Sequence, residues 1–164
     1  MASPLKHSVS YPFSTDRYWE IVSSEQYWRD LLEATNSSHG TLQSFSATDT
    51  SVEVDLLQGV PEDRLPSVVT KVRPGDLEIP RKMSFTRTAD GITGTVSASV
   101  TGAPAHVEGE VAASGDPATA TYTGEAKVGI PFVGGKIETA VIEQLVELFN
   151  NEREKTVTWE ADHR

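Results

Sequence analysis

Histidines are the first side chains to test for catalysis or metal binding, because imidazole takes part in both. The four histidines are His7, His39, His106 and His163, and no two of them have metal-ligand spacing. His39 lies in a predicted turn, and His163 lies near the end of the chain. Only His7 shares a strand face with apolar residues, so it is expected either to be a hydrogen-bonded core residue or to contact a ligand. No metal site is predicted.

Carboxylate and hydroxyl side chains form no recognisable catalytic set. Glu53 and Asp55 alternate with Val52, Val54 and Leu56 along a predicted strand, so the two carboxylates should face water. The serines lack the G-x-S-x-G pattern that marks the nucleophile of an α/β-hydrolase. The sequence therefore predicts no catalytic residue and no cofactor.

A glycine-rich segment at residues 129–136 resembles a phosphate-binding loop only superficially. In a P-loop, G-x-x-x-x-G-K-[ST], backbone N–H groups, a lysine and a hydroxyl group surround the phosphates and magnesium. Here Gly135 is inserted before Lys136, Ile137 occupies the position of the hydroxyl residue, and Pro131 lacks a backbone N–H. The segment is better interpreted as a hinge between a strand and a helix.

Four polar side chains share predicted strand faces with apolar neighbours and are candidates for contact with a buried ligand. Arg81 lies in phase with Met83 and Phe85. Its guanidinium group could bind a ligand carboxylate or phosphate, or its stem could pack while its head reaches solvent. The four candidates are His7, Tyr11, Arg81 and Tyr122.

Length and composition predict a single domain over residues 1–164 of a cytoplasmic protein. The chain has 164 residues, 37% of them hydrophobic, and no cysteine, so disulfides and thiolate ligands are excluded. No apolar run approaches the roughly 18 residues of a membrane-spanning helix, and the N-terminus lacks signal-peptide features. Stable membrane insertion is therefore not expected. The net charge of −10 disfavours binding to nucleic acid.

The spacing of apolar residues predicts a sheet framed by helices. A strand at residues 6–11 is followed by two short helices, the first capped by Ser14. A final helix from about Lys136 to Trp159 has an apolar stripe. The short turns between strands favour antiparallel neighbours. The six further strands are predicted at residues 40–47, 51–57, 77–88, 92–100, 105–113 and 118–130.

This order of elements, with two local motifs, resembles the START-type helix-grip superfamily, which includes pollen-allergen-like proteins. The motifs are the junction at residues 130–138 and Tyr-Pro-Phe-Ser at residues 11–14 followed by Trp19. The chain resembles most an uncharacterised bacterial branch. The resemblance implies an α+β fold in which a curved seven-stranded antiparallel sheet grips the C-terminal helix. It also implies a cavity that holds lipids, sterols, polyketides or other hydrophobic molecules in different members.

Small residues on the predicted inner face indicate unfilled space between the sheet and the last helix. Alternatively, the glycines among them allow the sheet to bend. The proline-containing segment at residues 59–75 is the predicted lid, with a short helical turn at residues 67–72. The small inner residues are Gly94, Ala98, Gly109, Ala120, Gly124 and Ala126.

These observations predict a carrier or sensor of a small hydrophobic molecule, acting as a monomer or weak homodimer. One alternative is an enzyme of the polyketide cyclase or aromatase type, in which the four polar candidates direct proton transfer. Another is a protein-interaction or co-chaperone module that uses the outer sheet face or the lid. The residues expected to contact the ligand are His7, Tyr11, Arg81, Met83, Phe85, Val96, Ala98, Tyr122, Gly124, Val141, Leu145 and Phe149.

Overall fold

A seven-stranded antiparallel sheet forms the body of the computed structural model, which describes residues 2–35, 40–71 and 74–164. The predicted turn around His39 and the end of the predicted helical turn at 67–72 lie outside these ranges. The helices are α1 (Thr15–Val22), α2 (Glu25–Thr35), α3 (Ser67–Thr70) and α4 (Gly134–Asp162). The strands are β1 (Ala2–Ser10), β2 (Thr41–Ala47), β3 (Ser51–Val60), β4 (Leu77–Thr88), β5 (Gly91–Ser99), β6 (Ala105–Ser114) and β7 (Thr119–Val128).

The strands pair in the order β1-β7-β6-β5-β4-β3-β2. Strands β2 to β7 therefore form a meander, and β1 pairs with β7 at one edge of the sheet. Side chains in the turns help to hold this order. Between β2 and β3, the hydroxyl oxygen of Thr48 accepts hydrogen bonds from the backbone N–H groups of Thr50 and Ser51 at 3.3 and 3.0 Å. The predicted α+β helix-grip arrangement with an antiparallel sheet is confirmed.

Helices α1 and α2 cover one end of the inner sheet face. The side chain of Ser14 caps α1 by accepting a hydrogen bond from the backbone N–H of Arg17 at 3.1 Å, as the sequence predicts. Trp28 of α2 is buried and stacks on Phe85 of the sheet, with ring centroids 6.1 Å apart. The tightly packed core therefore lies at this end of the molecule.

Helix α4 crosses the sheet and packs differently along its length. Its C-terminal half buries Phe149, Glu152 and Thr156 against the core. The apolar side chains of its N-terminal half are only half-buried, except for the buried Ile137, and Glu138 is buried as well. In the described residues, no helix combines the length and apolar character needed to cross a membrane.

Two paired glycines allow the backbones of β6 and β7 to approach closely. Gly109 of β6 is paired with Gly124 of β7. A Cβ atom at Gly109 would collide with the carbonyl oxygen of Thr123, and one at Gly124 would collide with that of Glu108. These atoms belong to the backbone and cannot rotate away. At this pair the small inner residues are required by the close approach of the two backbones.

Glu138 ties the beginning of α4 to the sheet. Its carboxylate accepts hydrogen bonds from the backbone N–H of Val128 at 2.9 Å and from the hydroxyl of Ser3 at 2.8 Å. Hydrogen bonds to the charged form, first that from Val128 and then that from Ser3, lower the pKa of Glu138. Because the pKa is lower in the folded state, the contribution to stability is complete above the unfolded-state pKa of about 4.3 and disappears as the pH falls.

Replacing Glu138 by glutamine is therefore expected to lower stability at neutral pH and to flatten the acid dependence of stability. The stability of the variant and that of the wild type should converge as the pH falls through the lowered folded-state pKa of Glu138, because the wild-type carboxylate then becomes protonated. Urea unfolding at a series of pH values measures this. Glu143→Gln on the exposed face of the same helix is the control, and identical pH dependence in wild type and Glu138→Gln would contradict the assignment.

Candidate ligand-binding cavity

A cavity of about 670 Å³ lies between the inner sheet face, the N-terminal half of α4 and the segment after β3. A volume of this size is typical of small-molecule sites. Its walls are mostly aliphatic. Residues on the sheet wall include Leu5, Ile79, Val96, Ala98, Val107, Ala126 and Val128, and those on the helix wall include Ile137, Ala140, Val141, Leu145 and Leu148.

The segment between β3 and β4 covers one side of this cavity. Pro61, Leu65, Pro66 and Val69 all line it. None of these four side chains is buried in the core, and all are half-exposed. An apolar cover with little packing of its own is suited to local opening. The placement matches the lid position expected from the prolines at residues 59–75.

A buried ion pair lies in the cavity wall. Arg81 of β4 binds Glu152 of α4 through two hydrogen bonds, Nη1 to Oε2 at 2.6 Å and Nη2 to Oε1 at 3.1 Å. The side chains are 6% and 11% exposed, so the pair is largely removed from water. Burial lowers the pKa of Arg81, but the charge and hydrogen bonds of Glu152 outweigh burial and raise it. Arg81 is therefore always charged, and its charge is already neutralised.

All four tyrosines of the chain lie together behind this ion pair. The hydroxyl of Thr156 donates to the backbone carbonyl of Glu152 at 2.6 Å and accepts from Tyr27 at 2.7 Å. Burial is the largest cause and raises the pKa values of all four tyrosines, and the charge of Glu152 raises the pKa values of Tyr11, Tyr27 and Tyr122 further. They are therefore neutral at physiological pH and can donate hydrogen bonds but not act as bases. The tyrosines are Tyr11, Tyr18, Tyr27 and Tyr122.

The structure divides the predicted contact residues into two groups. Six of the twelve line the cavity, and they include the buried arginine and three positions on α4. They are Arg81, Val96, Ala98, Val141, Leu145 and Phe149.

The other six predicted residues lie elsewhere on the inner face. Tyr11 and Tyr122 belong to the tyrosine cluster, and Tyr122 stacks on Phe149 with centroids 4.0 Å apart. His7 Nε2 is 2.8 Å from Oδ1 of Asn150. Two further residues, Met83 and Phe85, are buried in the core, and Gly124 lies where the backbones of β6 and β7 approach closely.

Two residues of the site escape analysis of the sequence alone. Glu152 follows Phe149 and precedes Thr156 at helical spacing, so a carboxylate on the buried stripe of α4 was the available signal. Gln58 lines the cavity and is 7% exposed. It continues the inner series of Val52, Val54 and Leu56, but the predicted strand ends at residue 57, whereas β3 extends to Val60.

Groups that could hold a metal ion are absent from the part of the chain that the structure describes. The charged residues on the cavity wall besides Arg81, namely Arg64, His106 and Glu147, are exposed. The cavity is thus an apolar site with its buried polar groups concentrated around Arg81.

Comparison with known proteins gives a family match and related folds. A family model described as a protein of unknown function (DUF2505) matches residues 6–159. An uncharacterised protein of Mycobacterium tuberculosis is 30% identical over 162 residues, which cover 93% of each chain. Norcoclaurine synthase from Thalictrum flavum, in complex with a transition-state analogue, has a TM-score of 0.58 at 13% identity, covering 99% of this chain and 96% of that one.

A START superfamily protein from Mycobacterium smegmatis has a TM-score of 0.51 at 10% identity, covering 95% of this chain and 98% of that one. Together with norcoclaurine synthase, it confirms the resemblance to the START-type and pollen-allergen-like fold. At these identities the similarity concerns the fold alone.

Proposed function

The chain belongs to the DUF2505 family, whose function is unknown. From the cavity itself, we propose that the protein is a single domain that carries or senses a small hydrophobic molecule. The observation that carries the proposal is an aliphatic cavity of about 670 Å³ between sheet and helix, covered on one side by half-exposed residues of the segment between β3 and β4. Enclosure in apolar walls is what drives the binding of apolar ligands. Of the residues predicted from sequence, we propose those on the cavity wall as ligand contacts.

The ion pair favours binding over catalysis at this site. Arg81 is held by Glu152 in a two-point contact, so neither group is free to exchange protons with a ligand. The other three candidates for proton transfer in a cyclase-type enzyme, His7, Tyr11 and Tyr122, lie outside the cavity wall. A matched acid and base at the cavity would be needed for the enzymatic alternative.

Replacing Ala98 by phenylalanine is expected to reduce binding of a neutral apolar dye at least tenfold, because the new ring occupies the cavity. Ala98 is half-buried on the inner face of β5 and lines the cavity. Filling unoccupied space should cost less than the roughly 1 to 3 kcal/mol of overpacking a full core. Titration with phenylnaphthylamine fluorescence measures binding, and urea unfolding measures stability.

The matched control is Ala112→Phe on the exposed face of β6, which adds the same ring outside the cavity. It should leave dye binding unchanged. Equal dye affinity in wild type and Ala98→Phe would contradict the proposed site, as would the absence of any dye binding to the wild type.

A further inference from the structure

Gln58 differs from the other buried polar residues because no residue that the structure describes hydrogen-bonds to its side-chain amide. It is 7% exposed and lines the cavity. The buried side chains of Arg81, Glu138, Glu152, Thr156 and Glu160 all have hydrogen-bond partners. Among the described residues, the fully enclosed side-chain atom without a partner is Ser23 Oγ, so the Gln58 amide is open to the cavity and is not sealed inside the protein. A ligand that fills the cavity and makes no hydrogen bond to this amide would leave it desolvated and unpaired, which costs free energy.

The position of Gln58 places its amide next to the ion pair. On the inner face, Gln58 of β3 is opposite Ile79 of β4, and Leu56 is opposite Arg81. Gln58 and Arg81 are therefore diagonal neighbours on the same face of two paired strands. Most of the surrounding wall is aliphatic, so the two side chains form one polar spot in an apolar cavity.

The electrostatics of this spot disfavour a charged ligand. The positive charge of Arg81 is already matched by Glu152 in a bidentate contact. A carboxylate or phosphate entering the spot would be repelled by Glu152 and would lose its hydration without gaining a free cation. An amide, by contrast, has two N–H donors and a carbonyl acceptor, which suit an uncharged hydroxyl, ketone or carboxamide.

We propose that the Gln58 amide recognises one uncharged polar group at the buried end of the ligand. The ligand class is then an apolar molecule that carries an alcohol, ketone or carboxamide, and apolar anions are bound less well. This inference rests on the proposed function, since it specifies what the same cavity takes up. The hydrogen bonds position the ligand, and the aliphatic walls supply most of the affinity.

Competition between three ligands of equal chain length tests the proposal. Octanol, chlorooctane and octanoate carry a neutral polar group, an apolar group and an anion on the same octyl chain. Each is titrated against bound phenylnaphthylamine at neutral pH. For the wild type, octanol should bind about tenfold more tightly than chlorooctane, the effect of one hydrogen bond to a buried group. Octanoate should bind less tightly than octanol.

The Gln58→Met variant separates the amide from the shape of the side chain. Methionine has a similar length but no N–H donor and only a weak acceptor. The preference for octanol over chlorooctane should disappear in this variant, while the affinity for chlorooctane is retained or improved. Gln144→Met is the matched control, because Gln144 also lines the cavity but is exposed on α4. It should keep the wild-type preference.

The outcomes distinguish this inference from the proposed function. If the dye does not bind, the proposed function fails. If the dye and chlorooctane bind but octanol has no advantage in the wild type, only the role of Gln58 is overturned, and its amide is then satisfied by solvent. Tighter binding of octanoate than of octanol would overturn the uncharged ligand class. If Gln58→Met does not fold, the comparison of octanol with chlorooctane in the wild type still tests the role of Gln58. If Gln58→Met folds and keeps the full preference for octanol, the proposal is overturned.

Discussion

Replacing Glu152 by leucine is expected to lower the free energy of unfolding by about 3 to 5 kcal/mol, because it leaves the guanidinium group of Arg81 charged, buried and unpaired. The side chain of Arg81 is 6% exposed and makes both of its charged hydrogen bonds to Glu152. The nearby ring of Phe149, 5.9 Å from the guanidinium carbon, is too weak a partner to replace a carboxylate. Urea unfolding monitored by tryptophan fluorescence gives the change directly.

The double variant Arg81→Met with Glu152→Leu should recover most of the stability lost in either single variant. Both charges are then absent, and similar apolar volumes occupy their places. The control is the exposed ion pair between Asp16 and Arg87, which lies in the same strand as Arg81. Its contact distance is 2.8 Å, but the side chains of Arg87 and Asp16 are 42% and 84% exposed. Breaking that pair should cost less than about 1 kcal/mol. Additive losses in the double variant at Arg81 and Glu152 would refute the coupling.

A chain that ends at Val133 is expected not to fold, because it lacks α4. The deletion removes Ile137 and Phe149 from the core, each worth roughly 1.5 to 3 kcal/mol of burial. It also exposes the inner sheet face, removes the hydroxyl partner of Tyr27 and leaves Arg81 without a carboxylate. The total stability of a domain is only about 5 to 15 kcal/mol. Calorimetry should therefore detect no cooperative unfolding transition.

The control is a chain that ends at Asp162 and lacks only the last two residues. This deletion removes the exposed side chain of Arg164 from Glu160, which keeps its contact with Arg17, and removes the stacking of His163 on Trp159. A cooperative transition close to that of the wild type is expected. A cooperative transition in the chain ending at Val133 would mean that the sheet folds without the helix it grips.

Local patterns were sufficient to predict most elements of this fold. Strand β4 was predicted at its observed bounds, and β5 and β6 within a residue at each end, because alternation and turn residues act over a few positions. Helix α4 extends beyond its predicted ends because Gly134 and Gly135 continue as helix after the hinge. The end of β3 was missed where Leu57, Gln58 and Gly59 interrupt the apolar alternation.

The division of the inner face into core and cavity was not predictable in the same way. Alternation places Met83 and Ala98 on the same face, but in the structure Met83 is buried in the core whereas Ala98 lines the cavity. The alternation of residues along a strand indicates the face of the sheet on which a side chain lies. It does not report what covers that face.

By itself, the sequence determined the order of elements, the antiparallel sheet and which residues face inward, since each follows from spacing over neighbouring positions. Only the tertiary structure decided that Arg81 meets Glu152, that the four tyrosines cluster behind them, and that Gln58 lines a cavity. These contacts join residues far apart in the chain. They depend on where α4 crosses the sheet, and a helix position along a sheet is set by packing between elements, not by the local pattern of either one.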